Sequence, residues 1–210
     1  MTKVSSLATL GADLTDQREQ LKLDLQALSD NLRSRTTTSV ATYASNKLTF
    51  DATSVTGPVA VFNITGAMLS QNGEMFFNLP MSGGSPLTTI INVSGTSIAH
   101  TINTNSGLAV NTPSVIWNFF EATTISFQSS LFGSVLATKA AVTNGARLNG
   151  SIVAGSLNQN AQIHLGTFNG FPGNGVAVVP EPAAWAMMIV GMGFVGAALR
   201  RLRQTLSAAA

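Results

Sequence analysis

The pentapeptide Gly133-Ser-Val-Leu-Ala137 returns a short way along the chain as Gly150-Ser-Ile-Val-Ala154. Each copy leads to an Asn-rich turn, Asn144-Gly145 and Asn158-Gln-Asn160, and Leu148 and Leu165 keep the same offset. A short fixed period, with small residues at corners and Val, Ile and Leu between them, suits stacked coils in which each rung buries its apolar face against its neighbours. We therefore expect a mainly β chain with a β-solenoid-like (β-helix) body; a β-hairpin or sandwich is the other explanation of two copies.

The chain ahead of the repeat has a β period too. Lys47 to Phe50, Val59 to Ile64, Glu74 to Leu79, Leu87 to Val93, Ile98 to Ile102, Val115 to Phe120 and Thr124 to Phe127 read as short strands. Gly57-Pro58, Asn72-Gly73, Gly83-Gly84 and Thr112-Pro113 punctuate them. Before them the period is helical: Leu7, Leu10, Leu14, Leu21, Leu25, Leu28 and Leu32 return at three-, four- and seven-residue steps from about Val4 to Arg35. Gln17 and Asp24 interrupt a coiled-coil heptad, so this one long helix is expected to flank its own domain. The expected organisation is a domain over 1–170 (helix about 4–35, β body about 46–170), a linker over 171–178 and a distinct C-terminal segment over 179–203.

Between Asp51 and Val179 the only charged residues are Asp51, Glu74, Glu121, Lys139 and Arg147. The body thus presents Ser, Thr, Asn, Gln and Gly to solvent, and much of the positive excess behind the sequence pI of about 9.4 lies in the C-terminal cluster. No basic stripe supports nucleic-acid binding. The absence of cysteine excludes disulfides, thiolate metal sites and cysteine nucleophiles.

The C-terminal segment has three parts in order. Val179-Pro180-Glu181-Pro182 holds the backbone extended, because proline fixes φ and disfavours helix in the residue before it. An uncharged run from Ala183 to Leu199 follows, including Trp185, Met188, Ile189, Val190, Phe194 and Val195. At about 1.5 Å per residue such a helix nearly crosses a hydrocarbon core of about 30 Å. Arg200, Arg201 and Arg203 then form a basic stop, which places that end in the cytoplasm and the main body outside it. We expect a C-terminal transmembrane helix.

These residues resemble a PEP-CTERM sorting signal, the C-terminal tag of exported proteins in Gram-negative bacteria that make exopolysaccharide. The resemblance implies an exosortase, an integral-membrane cysteine protease, as the partner that recognises Pro180-Glu181-Pro182 and processes the anchor. It also implies transient or permanent residence in the cytoplasmic membrane, then release to the surface or the extracellular space. Met1 to Ser6 lead directly into polar helical sequence without the apolar core of a signal peptide, so the true N-terminus is expected to lie upstream. A vestigial anchor is the alternative.

A second resemblance spans about residues 5–170. Leu48-Thr-Phe50, Val59-Ala-Val-Phe-Asn-Ile-Thr65, Ile91-Asn-Val-Ser-Gly95, Ile116-Trp-Asn-Phe-Phe120 and the Gly133 and Gly150 segments, with His164 and Phe168, are similar to the choice-of-anchor A domain. That family is secreted, joined to differing surface anchors and without established enzymatic activity, so the resemblance implies location more than mechanism.

The chemistry legible in the residues is sparse. His100 and His164 have no carboxylate close in sequence, and a metal site or a Ser-His-Asp triad needs converging partners. An enzyme would require Asp51, Glu74 or Glu121 to pair in a cleft. No regular Thr-x-Thr array of the kind that would bind ice or a polymer surface is visible along the chain. The expectation is a non-enzymatic exported envelope or matrix protein without cofactor or metal, associated with exopolysaccharide or biofilm. The alternative is a specific carbohydrate-binding or adhesive module that stacks sugars on Trp117, Phe119 and Phe120; exposure of those rings would favour it and burial would sink it.

Overall fold

The computed structural model describes residues 7–82, 85–104 and 112–170. Its first element is a helix, α1 (Leu7–Arg33). The strands that follow are β1 (Ala41–Ala44), β2 (Lys47–Asp51) and β3 (Val59–Thr65), then the single turn of helix α2 (Gly66–Leu69). Next come β4 (Glu74–Asn78), β5 (Met81–Ser82), β6 (Ser85–Pro86), β7 (Thr88–Ser94), β8 (Ser97–His100) and β9 (Asn103–Thr104). A 3-10 turn (Thr112–Ser114) precedes β10 (Val115–Asn118), β11 (Thr124–Phe127), β12 (Leu131–Phe132) and β13 (Ser134–Asn144). The described chain closes with β14 (Leu148–Asn149), β15 (Ile152–Gln159) and β16 (Ile163–His164).

The architecture is mainly β, a half-barrel parallel sheet with two α-helices. Seven strands make the large sheet, in the order β3-β7-β10-β13-β11-β8 with β15 alongside β13. The long strand β13 spans two flanks, pairing β10 through Ser134 to Leu136 and β11 through Ala141 to Asn144. A register shift between Ala137 and Ala141 separates them, and such a bulge bends a strand and increases its twist. A second sheet, β1-β2-β4-β9, begins with an antiparallel hairpin and continues in parallel.

This corrects the expected β-solenoid body. The period of the Gly133 and Gly150 repeat is realised as parallel pairing of Val135 with Ile152 and of Leu131 with Leu148. It does not extend through the body, where Val59 pairs Thr88 and Thr89 pairs Val115, partners much farther apart along the chain. At the end it contracts, because Leu148 pairs Ile163 in place of Leu165, which is left 94% exposed. Insertions such as α2 and the 3-10 turn lengthen the early connections, so no single rung repeats. Residues 183–199 lie outside the described residues, and among the described residues no helix is long and apolar enough to cross a membrane.

The β3/β7/β10/β13 flank is covered on both faces, which explains why β7 reads as a nearly continuous buried run. Phe62, Ile91, Val93, Trp117 and Val135 turn to the main core. There Phe50 stacks on Phe77 at 4.8 Å and meets Phe62 and Trp117 edge-on at 5.3 and 5.8 Å. The opposite face turns Val61, Ile90, Ile116 and Leu136 to Leu25, Leu28 and Leu32 of α1. Only the C-terminal half of the helix docks, for Leu14 and Leu21 are 56% and 58% exposed.

Among these apolar contacts runs a polar ladder. Asn63, Asn92 and Asn118 are register partners on β3, β7 and β10, and each amide nitrogen reaches the next amide oxygen: Asn118 Nδ2 donates to Asn92 Oδ1 at 2.9 Å and Asn92 Nδ2 to Asn63 Oδ1 at 3.0 Å. Asn118 Nδ2 also donates to Ser29 O at 2.8 Å and its Oδ1 accepts from Ser29 Oγ at 2.6 Å, while Asn92 Nδ2 donates to Leu32 O at 3.0 Å. The ladder satisfies buried amides and fixes the register of α1 on the sheet. Beside it, the Thr38 and Ser39 amides donate to Val61 O and Thr38 Oγ1 accepts from Val61 N, so the outer edge of β3 is covered.

Candidate functional site

The flank made by β8, β11 and the second halves of β13 and β15 carries a different outer face. Ile98, Ile125 and Val142 alternate into the core, so their strand neighbours point out. Parallel register aligns Ser97, Thr124, Ala141 and Ser156 in one row and Ala99, Ser126, Thr143 and Asn158 in a second. The first row is exposed; in the second Asn158 is exposed and the others half-buried. Neighbouring strands lie about 4.8 Å apart and alternate residues about 6.7 Å along a strand, so the eight positions form a lattice about 14 Å wide.

Every one of these side chains is short and uncharged. Such groups lose little rotamer entropy when a ligand fixes them, and the sheet below holds them at set spacing. Thr124 Oγ1 donates to Ser97 Oγ at 3.1 Å, which orients that pair of hydroxyls, and beside the first row Thr123 Oγ1 donates to the Thr96 backbone O at 3.0 Å. The arrangement can form many weak hydrogen bonds to a regular hydroxyl-bearing surface.

The array is a candidate site that reading along the chain missed. Its members come from four segments, Ser-x-Ala at 97–99, Thr-x-Ser at 124–126, Ala-x-Thr at 141–143 and Ser-x-Asn at 156–158. Each is unremarked alone. Only the parallel register assembles them, and the small-x-small spacing within strands was the available signal.

The aromatic platform is not realised. Trp117 and Phe119 are 0% and 1% exposed, and Trp117 Nε1 donates to Phe132 O at 2.8 Å. Phe120 is half-buried, with the Arg33 guanidinium 4.4 Å above its ring. These rings are core and helix contacts, which rules out stacking of sugars on Trp117 and Phe119.

The ionisable candidates are held apart. Asp51 Oδ1 accepts from Thr53 N and Thr53 Oγ1, and its Oδ2 from Asn78 Nδ2, hydrogen bonds that hold its carboxyl below the usual carboxylate range. Glu74 lies opposite Lys47, at the other end of the β2/β4 pair from Asp51, and Glu121 Oε1 accepts from Gly95 N at 2.6 Å. His100 is buried, with Nδ1 3.1 Å from Ser129 O; burial pushes the imidazole down to about 4, against the opposing pull of that carbonyl. His164 on β16 is exposed, its Nε2 3.1 Å from Gln162 Oε1. Among the described residues no group of three or more His, Asp or Glu could hold a metal ion.

The sorting residues Val179, Pro180, Glu181 and Pro182, the apolar run with Trp185, Met188, Ile189, Val190, Phe194, Val195 and Leu199, and the stop Arg200, Arg201 and Arg203 all lie outside the described residues. Comparison with known families covers both parts of the chain. Residues 2–165 match the family model described as "Putative Ice-binding-like adhesive domain", and residues 178–204 match the PEP-CTERM protein-sorting motif. No curated protein and no solved structure matches.

Proposed function

Because the chain belongs to the ice-binding-like adhesive domain family, we propose that it is a non-enzymatic adhesive module whose outer face on β8, β11, β13 and β15, flat in the sense that its side chains are all short, holds it to the hydroxyl-bearing polymer of an exopolysaccharide matrix. Its sorting motif makes it an exported substrate of an exosortase. In this reading the apolar run over 183–199 keeps the body outside the cytoplasmic membrane until processing releases it to the surface.

The observation that carries the proposal is the two-row lattice of Ser97, Thr124, Ala141, Ser156 and Ala99, Ser126, Thr143, Asn158. A single exposed hydroxyl bond contributes about 1 kcal/mol or less. Repetition along a polymer multiplies it, since each bond formed raises the effective concentration for the next. The bonds that this uncharged face makes are themselves little affected by salt.

The same lattice favours a second reading, the ordered water of an ice surface, which the family's description also suggests. One experiment separates them. Wild type and Thr124→Tyr, whose ring stands proud of the flat face, are tested for co-sedimentation with exopolysaccharide and for uptake into a growing ice hemisphere. Binding to the polymer, lost in Thr124→Tyr, supports the matrix reading. Uptake into ice alone supports the second, and equal behaviour of both proteins in both assays refutes the site.

A further inference from the structure

Three cations of this charge-poor chain meet in one cleft beside the flat face. N-terminal to Leu25 the helix α1 stands away from the sheet, and the space between it and the β13/β15 pair is a cleft of about 890 Å³ lined by Arg18, Glu19, Lys22, Thr138 and Lys139 among others. The bulge in β13 shapes it. Ala137 pairs Ala154 and Ala141 pairs Ser156, so Thr138, Lys139 and Ala140 stand opposite Gly155 alone. A Cβ on Gly155 would lie 3.1 Å from Ala140 O and 3.3 Å from Thr138 O, so the bulge rests on that glycine. A bulge re-aims side chains, and here it leaves Lys139 exposed in the cleft wall.

The charges are unbalanced. Arg18 Nη2 lies 2.9 Å from Glu19 Oε1 and Lys22 Nζ 3.6 Å from Glu19 Oε2, so one carboxylate serves two cations. Lys139 takes part in neither pair. Thr123, Ala141 and Ser156 line the same cleft, and Ala141 and Ser156 also belong to the first row of the flat face. The cleft is therefore continuous with the uncharged array.

We propose that this cleft binds the carboxylates of an acidic polysaccharide, a uronate-bearing polymer, whose hydroxyl groups lie on the flat face. The inference rests on the adhesive reading above and names the class of polymer. Lys139 and Lys22 supply point charges and Arg18 a planar fork that matches a carboxylate. These side chains are exposed, so each pair is individually weak and screened by salt, and affinity comes from repetition along the polymer. A nucleic acid would need a longer basic track than these three residues provide.

The test uses the full chain with two polymers, alginate as the uronate probe and dextran as a neutral one, at low and high salt. Wild type is expected to bind alginate more tightly than dextran, with an alginate affinity that falls as salt rises. Lys22→Gln with Lys139→Gln is expected to weaken alginate binding about tenfold and to leave dextran binding and the urea midpoint unchanged. Alginate binding that ignores both salt and the charge variant overturns the proposal. Should Thr124→Tyr abolish binding to both polymers while the charge variant changes nothing, the flat face stands and the cleft falls. Should the charge variant alone weaken alginate and Thr124→Tyr change neither polymer, the cleft stands and the flat-face reading falls.

Discussion

Replacing Asn118 with leucine keeps the branched heavy-atom skeleton of the side chain and removes its hydrogen bonding. Asn118 is fully buried between β10 and α1, where it makes three hydrogen bonds: Nδ2 to Ser29 O, Nδ2 to Asn92 Oδ1, and Oδ1 from Ser29 Oγ, at 2.8, 2.9 and 2.6 Å. Each such bond contributes about 1 kcal/mol net, and a buried group left without a partner costs about 1–3 kcal/mol. Asn118→Leu strands Asn92 Oδ1 and Ser29 Oγ, while the new apolar side chain recovers part of that loss. The expected net cost is about 3–4 kcal/mol, and for a domain of this size it lowers Tm by roughly 6–16 °C. Urea unfolding followed by far-UV circular dichroism measures it. Ser29→Ala is expected to cost about 1–2 kcal/mol, and the double variant less than the sum by at least about 1 kcal/mol, because it no longer holds an orphaned hydroxyl. A loss below about 1 kcal/mol for Asn118→Leu, or strict additivity in the double variant, would refute the claim that the ladder locks the helix to the sheet.

Other perturbations follow from the same geometry. Gly150→Ala places a methyl 2.3 Å from Gly133 O at a residue with φ of +147°, so a loss of about 2 kcal/mol or more is expected in the same unfolding assay. His100 folds with its pKa near 4 against an ordinary 6.5, so its stabilising effect is complete above about pH 6.5 and is lost as pH falls toward 4, a change of about 3 kcal/mol. His100→Leu should flatten unfolding free energy across that window, whereas Asp51, whose pKa is lowered from 3.8, acts only below it. Ser156→Tyr on the exposed first row is expected to weaken polymer adhesion several-fold with an unchanged Tm, as read by co-sedimentation beside thermal unfolding.

Much of the architecture was legible along the chain. Leucines at helical spacing marked α1, and period-two runs located β2, β3, β4, β7, β8, β10 and β11 closely. The glycines of the repeat are true corners, since Gly133 and Gly150 have φ of +110° and +147° and a Cβ on Gly150 would strike Gly133 O. The error lay in extending the short local spacing of the repeat to a whole body whose parallel partners mostly lie much farther apart in sequence, as Val59 and Thr88 or Lys47 and Glu74 do. Loop insertions change that distance without altering strand patterns, so periodicity alone could not see them. Trp117 shows the limit at the level of one residue: its alternation in a strand was readable, but whether its face met solvent or Phe50 depended on a second sheet. The asparagine ladder and the hydroxyl lattice were hidden for the same reason. Asn63, Asn92 and Asn118, like Ser97, Thr124, Ala141 and Ser156, become neighbours only through register.

Hydroxyl-radical footprinting of the full chain, with and without matrix exopolysaccharide, tests the adhesive face most directly. Protection confined to peptides carrying Ser97, Thr124, Thr143 and Asn158, with the outward residues Thr49 and Phe76 of the other sheet unchanged, is the expected result. Protection centred on Thr49 and Phe76, or none on the lattice at polymer concentrations that saturate binding, would contradict it.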